Sequence, residues 1–195
     1  MDFLPEFKVG NEDLQVVEQM RLLGIHITSD LKWQTNTQNM ITKANSKLWV
    51  LRRLKKIGAR DEDLLDVYCK LIRCHLEFAA PVWQGAITRN ERVDIERVQR
   101  CALRIILGDR YSSYQNALEV MGLEDLEKRR VKLCLNFALR ASKNVKHQHW
   151  FQKKLKTVNT RSKAKFCSVF ARHARFERSP VNYLTQLLNE YSESK

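Results

Sequence analysis

Six glycines and three prolines are all that this chain of 195 residues has for tight turns. A β-sandwich or barrel turns about every 8–12 residues and draws heavily on glycine and proline at those turns. So few turn residues suit helices joined by short loops, in one domain or two small ones.

The apolar pattern has the matching period. Ile41, Ala44, Leu48, Leu51 and Leu54 predict a first helix that Gly58 ends. Asp61 is a suitable N-cap for a second, carrying Leu64, Leu65, Tyr68, Leu71 and Ile72. Pro81 must break, kink or restart the helical run around it. Trp83 closes a nearly all-apolar run from Leu76, so it is expected in the core between the second and third helices. Thr88 caps the third helix, with Ile95, Val98, Ala102, Ile105 and Ile106 on one face and Gly108 at its end. A short helix from Ser113 to Gly122 comes next, then a long one from Glu124 carrying Leu126, Leu133, Phe137 and Ala141. Another runs through Phe166, Phe170 and His173, and Pro180 starts a last one with Tyr183, Leu184, Leu187 and Leu188. Before Trp33 the period is that of strands. Phe7 to Val9, the turn pair Gly10-Asn11 and Leu14 to Val17 read as a hairpin, and Leu22 to Ile27 as a further strand. The expected fold class is therefore mainly α, a multi-helix bundle with a small N-terminal β element of two to three strands.

Thirty-five Lys and Arg against twenty-two Asp and Glu give a net charge of +13, which points to a polyanionic partner. Residues 128–178 hold sixteen bases and one acid, and residues 35–60 seven bases and no acid, whereas residues 61–127 hold eight bases and thirteen acids. No apolar run approaches the roughly 20 residues of a membrane span, and no basic-then-apolar leader pattern opens the chain. DNA, RNA or an RNA–DNA hybrid is the expected partner, and no membrane. Cys69, Cys74, Cys101, Cys134 and Cys167 are odd in number, without a C-x-x-C pair, and read as reduced thiols of an intracellular protein, nuclear or cytoplasmic.

Spacing selects the candidate contacts. Arg97, Arg100 and Arg104 share one face of the third helix. Arg129, Lys132, Asn136, Arg140 and Lys143 share a face of the long one, and Lys43 and Lys47 form a shorter row. Bases about 5 Å apart along a helix can follow successive phosphates, with affinity supplied by released counterions. Glu96, four residues before Arg100, is expected to neutralise part of the third-helix face. Lys153 and Lys154 join the set, and with Leu155, Lys156, Arg161, Lys163 and Lys165 they have the composition of a nuclear-import signal. Phe137, Phe166 and Phe170 stand at core spacing, which leaves Trp150 and Phe151 as aromatics able to stack on bases.

Catalytic signatures do not occur: there is no Y-x-D-D, no Gly-rich phosphate loop, no G-x-S-x-G and no H-E-x-x-H. Asp61, Glu62, Asp63 and Asp66 crowd one helix start, where the dipole favours negative charge, whereas two-metal chemistry needs carboxylates converging from separate elements. His147, His149, Cys167 and His173 have the chemistry to hold zinc, but H-x-H followed by C-x5-H matches no usual zinc pattern. No catalytic residue, metal or cofactor is expected.

A series of short motifs remains. In order, the chain carries Leu22-Leu23-Gly24-Ile25 with Leu31-Lys32-Trp33, then Leu51-Arg52-Arg53-Leu54, then Tyr68 with Leu71-Ile72. Leu76-Glu77-Phe78-Ala79-Ala80-Pro81-Val82-Trp83 comes after these, then Glu96-Arg97-Val98-Gln99-Arg100-Cys101-Ala102-Leu103-Arg104-Ile105. Ala117-Leu118 with Gly122-Leu123 and Leu126, and Arg178-Ser179-Pro180 with Leu187-Leu188-Asn189, complete it. In this order and spacing, across residues 6–189, the series resembles the region after the palm in LINE-type (non-LTR) retrotransposon reverse transcriptases.

The resemblance implies three parts: residues 1–33 as the last strands of a polymerase palm, 34–122 as a thumb-like helical domain lying against template and primer, and 123–195 as a basic C-terminal extension. The fingers, the palm with its metal-binding aspartates and the endonuclease of that family have no counterpart here. The kinship implied is with an RNA-directed DNA polymerase, without its activity. Met1 stands near the implied palm–thumb border, as expected of an element copy truncated at its 5′ end.

The expected function is non-catalytic binding of a polynucleotide through its phosphates. Two alternatives stay open. One is a protein-interaction module, seated on the acidic stretch from Asp61 to Glu127 or on the surface that would have faced the palm. The other is a relic of a mobile element with no selected role. On the palm reading, Leu14, Val16, Leu23, Ile25 and Ile27 have lost their packing partners and offer an edge for self-association.

Overall fold

A computed structural model of the chain describes residues 7–10, 12–154 and 164–194. It is mainly helical, with a small β element at the N-terminus. That element is two antiparallel hairpins, β1 (Phe7–Val9) with β2 (Glu12–Leu14), and β3 (Gln19–Leu22) with β4 (Ile25–Thr28). The run Leu22 to Ile27 is therefore a reversal and not one strand. Leu23 and Gly24 have φ of 48° and 89°, and two central residues with positive φ are what a type I′ hairpin turn requires. The second hairpin leans on helix α1 (Gln34–Lys56), where the His26 N–H donates to Asn36 Oδ1 at 3.2 Å.

Helix α1 buries Met40, Ile41, Ala44, Leu48 and Leu51 and ends before Gly58, as the periodicity predicts. After it, α2 (Asp61–Val67), a π-helical turn (Tyr68–Arg73) and α3 (Cys74–Glu77) form one continuous rod. Asp61 is not the N-cap. Arg60 holds that position without a side-chain bond, and the Asp61 carboxylate instead takes Lys55 at 3.1 Å and the guanidinium of Arg110. Burial pushes the Asp61 carboxyl up, but the bonds from Arg110 and Lys55 outweigh it and hold it below the ordinary carboxylate value.

The rod buries Leu64, Tyr68, Ile72 and Leu76 completely, one residue in every four. In a regular α-helix, four residues overshoot a turn by about 40°, so such a row would drift off the core face. The wider i→i+5 bonding of the π turn absorbs that drift. The rod breaks at Ala79, which takes a left-handed φ of 50°, and Pro81 sits in the first turn of the short α4 (Ala80–Trp83).

Helix α5 (Arg89–Leu107) begins at the expected cap: the Glu91 N–H donates to Thr88 Oγ1 at 3.3 Å and the Thr88 N–H donates back to Glu91 Oε2 at 2.7 Å. Ser113 caps α6 (Tyr114–Val120), and Asp125 caps α7 (Leu126–Lys143) through the Lys128 N–H at 2.8 Å. Burial raises the Asp125 carboxyl, and the Lys128 N–H and side chain more than reverse the effect. A short α8 (Ala174–Glu177) precedes α9 (Pro180–Glu193), which starts with proline as predicted.

One apolar core joins α1, the rod, α4, α5, α7 and α9; Leu103, Leu107, Ala117 and Leu118 form a smaller one between α5 and α6. Trp83 is 1% exposed, and its indole N–H donates to the Phe78 carbonyl at 2.9 Å. Its neighbour is α7, whose buried Arg130 lies 5.7 Å from the ring centroid, and α4 also packs on α9. The indole is thus buried where expected in degree but against later helices than the second and third. Gly85 lets α9 approach, since a Cβ there would stand 2.5 Å from the Tyr183 ring.

The helix expected through Phe166, Phe170 and His173 does not form. The Phe166 backbone is committed elsewhere: its N–H donates to Asn189 Oδ1 at 3.0 Å and its carbonyl accepts from Asn189 Nδ2 at 3.1 Å. Residues 152–154 and 165–167 pair as a short antiparallel ladder, with Lys154 N–H on Lys165 O at 2.9 Å and Cys167 N–H on Gln152 O at 2.8 Å.

Replacing Trp83 by Ala removes the largest fully buried side chain and strips Arg130 of its ring. The expected cost is about 3–5 kcal/mol by denaturant unfolding. An unchanged midpoint would contradict this packing.

Candidate nucleic-acid interface

The basic rows predicted from spacing are sorted by which acids the fold brings to them. On α5, Arg97 pairs with Asp94 at 3.0 Å, Arg100 lies 4.9 Å from the Tyr114 ring centroid and Arg104 lies 5.2 Å from that of Tyr111. Glu96 does not serve Arg100. Its carboxylate accepts from the Tyr114 hydroxyl and from the Leu126 N–H at 3.1 Å, so it fixes the start of α7. Tyr114 in turn accepts from Gln99 Nε2 at 2.9 Å, and Gln99 Oε1 accepts from the Tyr68 hydroxyl at 2.5 Å. Burial first, and Glu96 second, raise the Tyr114 hydroxyl, which stays a proton donor.

On α7 the predicted row is split along its length. Arg129 pairs with Glu77 at the end of the rod, and Lys132 with Glu124. Asn136, Arg140 and Lys143 are exposed, and neither Arg140 nor Lys143 has an acid partner among the described residues. The opposite face buries Leu126, Arg130, Cys134, Ala138 and Ala141. Phe137 therefore stands at the surface, 41% exposed, contrary to its core assignment.

Beyond α7, Lys146, Lys153, Lys154, Lys165, Arg172, Arg175 and Arg178 are all exposed and without acid partners among the described residues. The ladder of residues 152–154 with 165–167 gathers three of these lysines at one place, and Asn189 ties that place to α9. Leu155, Lys156, Arg161 and Lys163 of the import-like cluster lie outside the described residues. Phe151 is not available for stacking: it is 3% exposed, edge-on to Phe166 at 6.3 Å. Trp150 is 38% exposed, with His147 at 4.7 Å from its ring centroid. Phe170, assigned to the core by its spacing, is 85% exposed, because the helix that would have turned it inward is absent. Among the described residues no group of His, Cys, Asp and Glu is placed to hold a metal ion, and no helix is long and apolar enough to cross a membrane.

The second basic segment is carried by α1, which has no acid along its length. Lys43 and Lys47 face the side of α3, where after burial they are the causes that lower the His75 imidazole. Arg52, Arg53 and Lys56, exposed and without acid partners among the described residues, lie further along, next to an exposed Trp49. Spacing of the bases alone does not single out these four. The signal is in the one-residue step from Leu48 to Trp49, which at 100° per residue moves the indole off the apolar stripe.

Comparisons of the chain with models of protein families, with curated proteins and with solved structures find no match.

Arg129 and Arg140 occupy one predicted row yet should behave differently. Arg129→Gln leaves the mostly buried Glu77 with Arg73 alone at 3.5 Å, so it should lower unfolding stability by about 1–3 kcal/mol. Arg140→Gln should stay within about 0.5 kcal/mol. Equal effects in urea unfolding would erase the division between structural and free bases.

Proposed function

We propose that the chain is a non-catalytic nucleic-acid-binding segment, akin to the thumb and C-terminal extension of a retrotransposon-derived reverse transcriptase. The carrying observation is the set of bases that the fold leaves uncompensated. From Arg140 to Arg178, every described Lys and Arg is exposed and lacks a carboxylate partner, while Glu177 is the one acid in that stretch. Self-repulsion among so many free cations is relieved by a polyanion, whose released counterions supply sequence-independent affinity.

The family reading rests on the ordered motifs. Of the motif residues, Leu51, Leu76, Trp83, Val98, Ala102, Leu103, Leu118 and Leu188 are buried, whereas Leu22, Leu23, Leu31 and Phe78 are half exposed or more. A shared fold does not imply a shared function, which resides in the surface groups. Thumb-like contact with a template–primer duplex is compatible with bases that hold phosphates without reading sequence.

Binding should be tolerant of sequence and steep in salt. Each neutralised phosphate contributes about −0.9 to the slope of log affinity against log salt on duplex, or about −0.7 on single strands. Changing Arg140, Lys143, Lys153 and Lys154 to Gln should flatten that slope by about two to four units. The same change at Arg97, Arg100 and Arg104 should do less, because Asp94 and two tyrosine rings already engage them. No measurable affinity for duplex or single strand near physiological salt would overturn the proposal.

A second reading, self-association through the N-terminal hairpins, is favoured by its own observation. Leu14, Val16, Val17, Met20, Leu22 and Leu23 are all about half exposed or more, and Leu23 reaches 88%. Apolar residues grouped on two short two-stranded hairpins and the link between them, with outer edges unpaired among the described residues, invite edge pairing. Sedimentation should show dimers whose population falls when Met20 and Leu22 are changed to Lys. A monomer at every concentration would exclude it.

A further inference from the structure

We propose that the face of α1 centred on Trp49 is a stacking platform for an unpaired base of a single strand, with Arg52, Arg53 and Lys56 holding the phosphates beside it. The inference rests on the polynucleotide reading above and narrows it to strandedness. Trp49 is 58% exposed, although α1 already fills its core face with Met40, Ile41, Ala44, Leu48 and Leu51. More than half of this residue therefore stays outside the chain's own packing. The three bases come three, four and seven residues after it, which on a helix places them on the same side within two turns.

The platform continues across a groove onto α5. The two helices run in the same direction. Gln34 and Thr37 share a groove with Asn90 and Glu91 at their starts, and Lys55 Nζ donates to the Ile106 carbonyl at 2.7 Å near their ends. Between these points Asn45 of α1 and Arg97 and Cys101 of α5 line a common groove. One to two turns further along each helix stand Trp49 and Arg52 on one side and Arg104 on the other. A flat apolar ring is thus bordered by cations on its own helix and on the next.

That combination selects the occupant. Single strands offer both a free π-face and regularly spaced phosphates, and aromatic platforms flanked by bases bind them with little regard to sequence. A duplex offers the phosphates, but its bases are already stacked and leave the indole unused. An acidic protein segment offers charge without the rings.

The test measures binding of an oligothymidine 12-mer and of a duplex to the full chain at fixed salt. Trp49→Ala should weaken the single strand by about 5- to 150-fold, the range for loss of one base–aromatic stack. Duplex affinity, salt slope and thermal midpoint should stay unchanged, and Trp49→Phe should retain most single-strand affinity. Equal losses on both ligands, no loss on either, or a midpoint lowered by several degrees would overturn the platform. Displacement of the oligomer by polyglutamate as readily as by unlabelled oligomer would overturn it in favour of an acidic protein partner. Salt-steep binding that ignores Trp49 would overturn the platform alone, whereas absence of binding to either ligand would remove the platform and the polynucleotide reading together.

Discussion

Gln99 is the joint on which the helical body turns. Fully buried on α5, it accepts from Tyr68 on the rod and donates to Tyr114 on α6 and, at 3.0 Å, to the Glu124 carbonyl ahead of α7. Tyr114 passes the chain of bonds to Glu96, and Glu96 receives the first N–H of α7. A buried amide or carboxylate deprived of its partner costs about 1–3 kcal/mol or more. Four elements are thus held by one connected set of side-chain hydrogen bonds. Fixing α7 against α5 also decides which of its arginines meet acids and which face water.

The acidic stretch from Asp61 to Glu127 then has an internal use. Asp61 answers Lys55 and Arg110, Glu77 answers Arg73 and Arg129, Asp94 answers Arg97, Glu124 answers Lys132 and Glu127 answers Arg92. Along the sequence, the stretch looks like a seat for a basic partner. Folded, most of its charge is met by the chain's own bases. Among the described residues, Lys43, Lys47, Arg52, Arg53 and Lys56 of α1 and the bases beyond Lys132 have no such pair, so the surface is more polarised than the alternation of blocks implies. The more exposed of these pairs contribute little to stability, about 0–1 kcal/mol each, whereas Glu77 is mostly buried. Their consequence here is selection of which bases stay free.

Features decided within a few residues were legible in the sequence: the Thr88 cap, the helix start at Ser113, Pro180 in a first helical turn, and the helix ends at Gly58 and Gly108. Features decided by distant partners were not. Asp61 has every local property of an N-cap, but Lys55 and Arg110 compete for its carboxylate and win. Phe166 to His173 has helical spacing, but Asn189 claims the Phe166 backbone. Leu22 to Ile27 is uniformly strand-like, and a single glycine with a tolerant leucine is enough to reverse it. Of the candidate contacts, Arg140, Lys143, Lys153 and Lys154 stand free as their spacing and the charge count suggested. Arg129 and Lys132 instead lie within reach of acids 52 and 8 residues away along the chain. Trp49 was hidden by its company: Leu48, Val50 and Leu51 make the run look uniformly buried.

The π turn at Tyr68–Arg73 has a bearing on how chain length is conserved in a fold of this kind. The rod takes one extra residue to bring Leu76 back to the face that Leu64 starts, and that residue is stored in the middle of a helix. A kindred chain one residue shorter could close the wide turn into a regular one and still present apolar side chains at both ends of the rod. Alignment of such a pair would call for a gap inside a helix, where insertions and deletions are least expected. Everything downstream, from the Ala79 break to the Trp83 indole, would appear shifted by one position while occupying the same space.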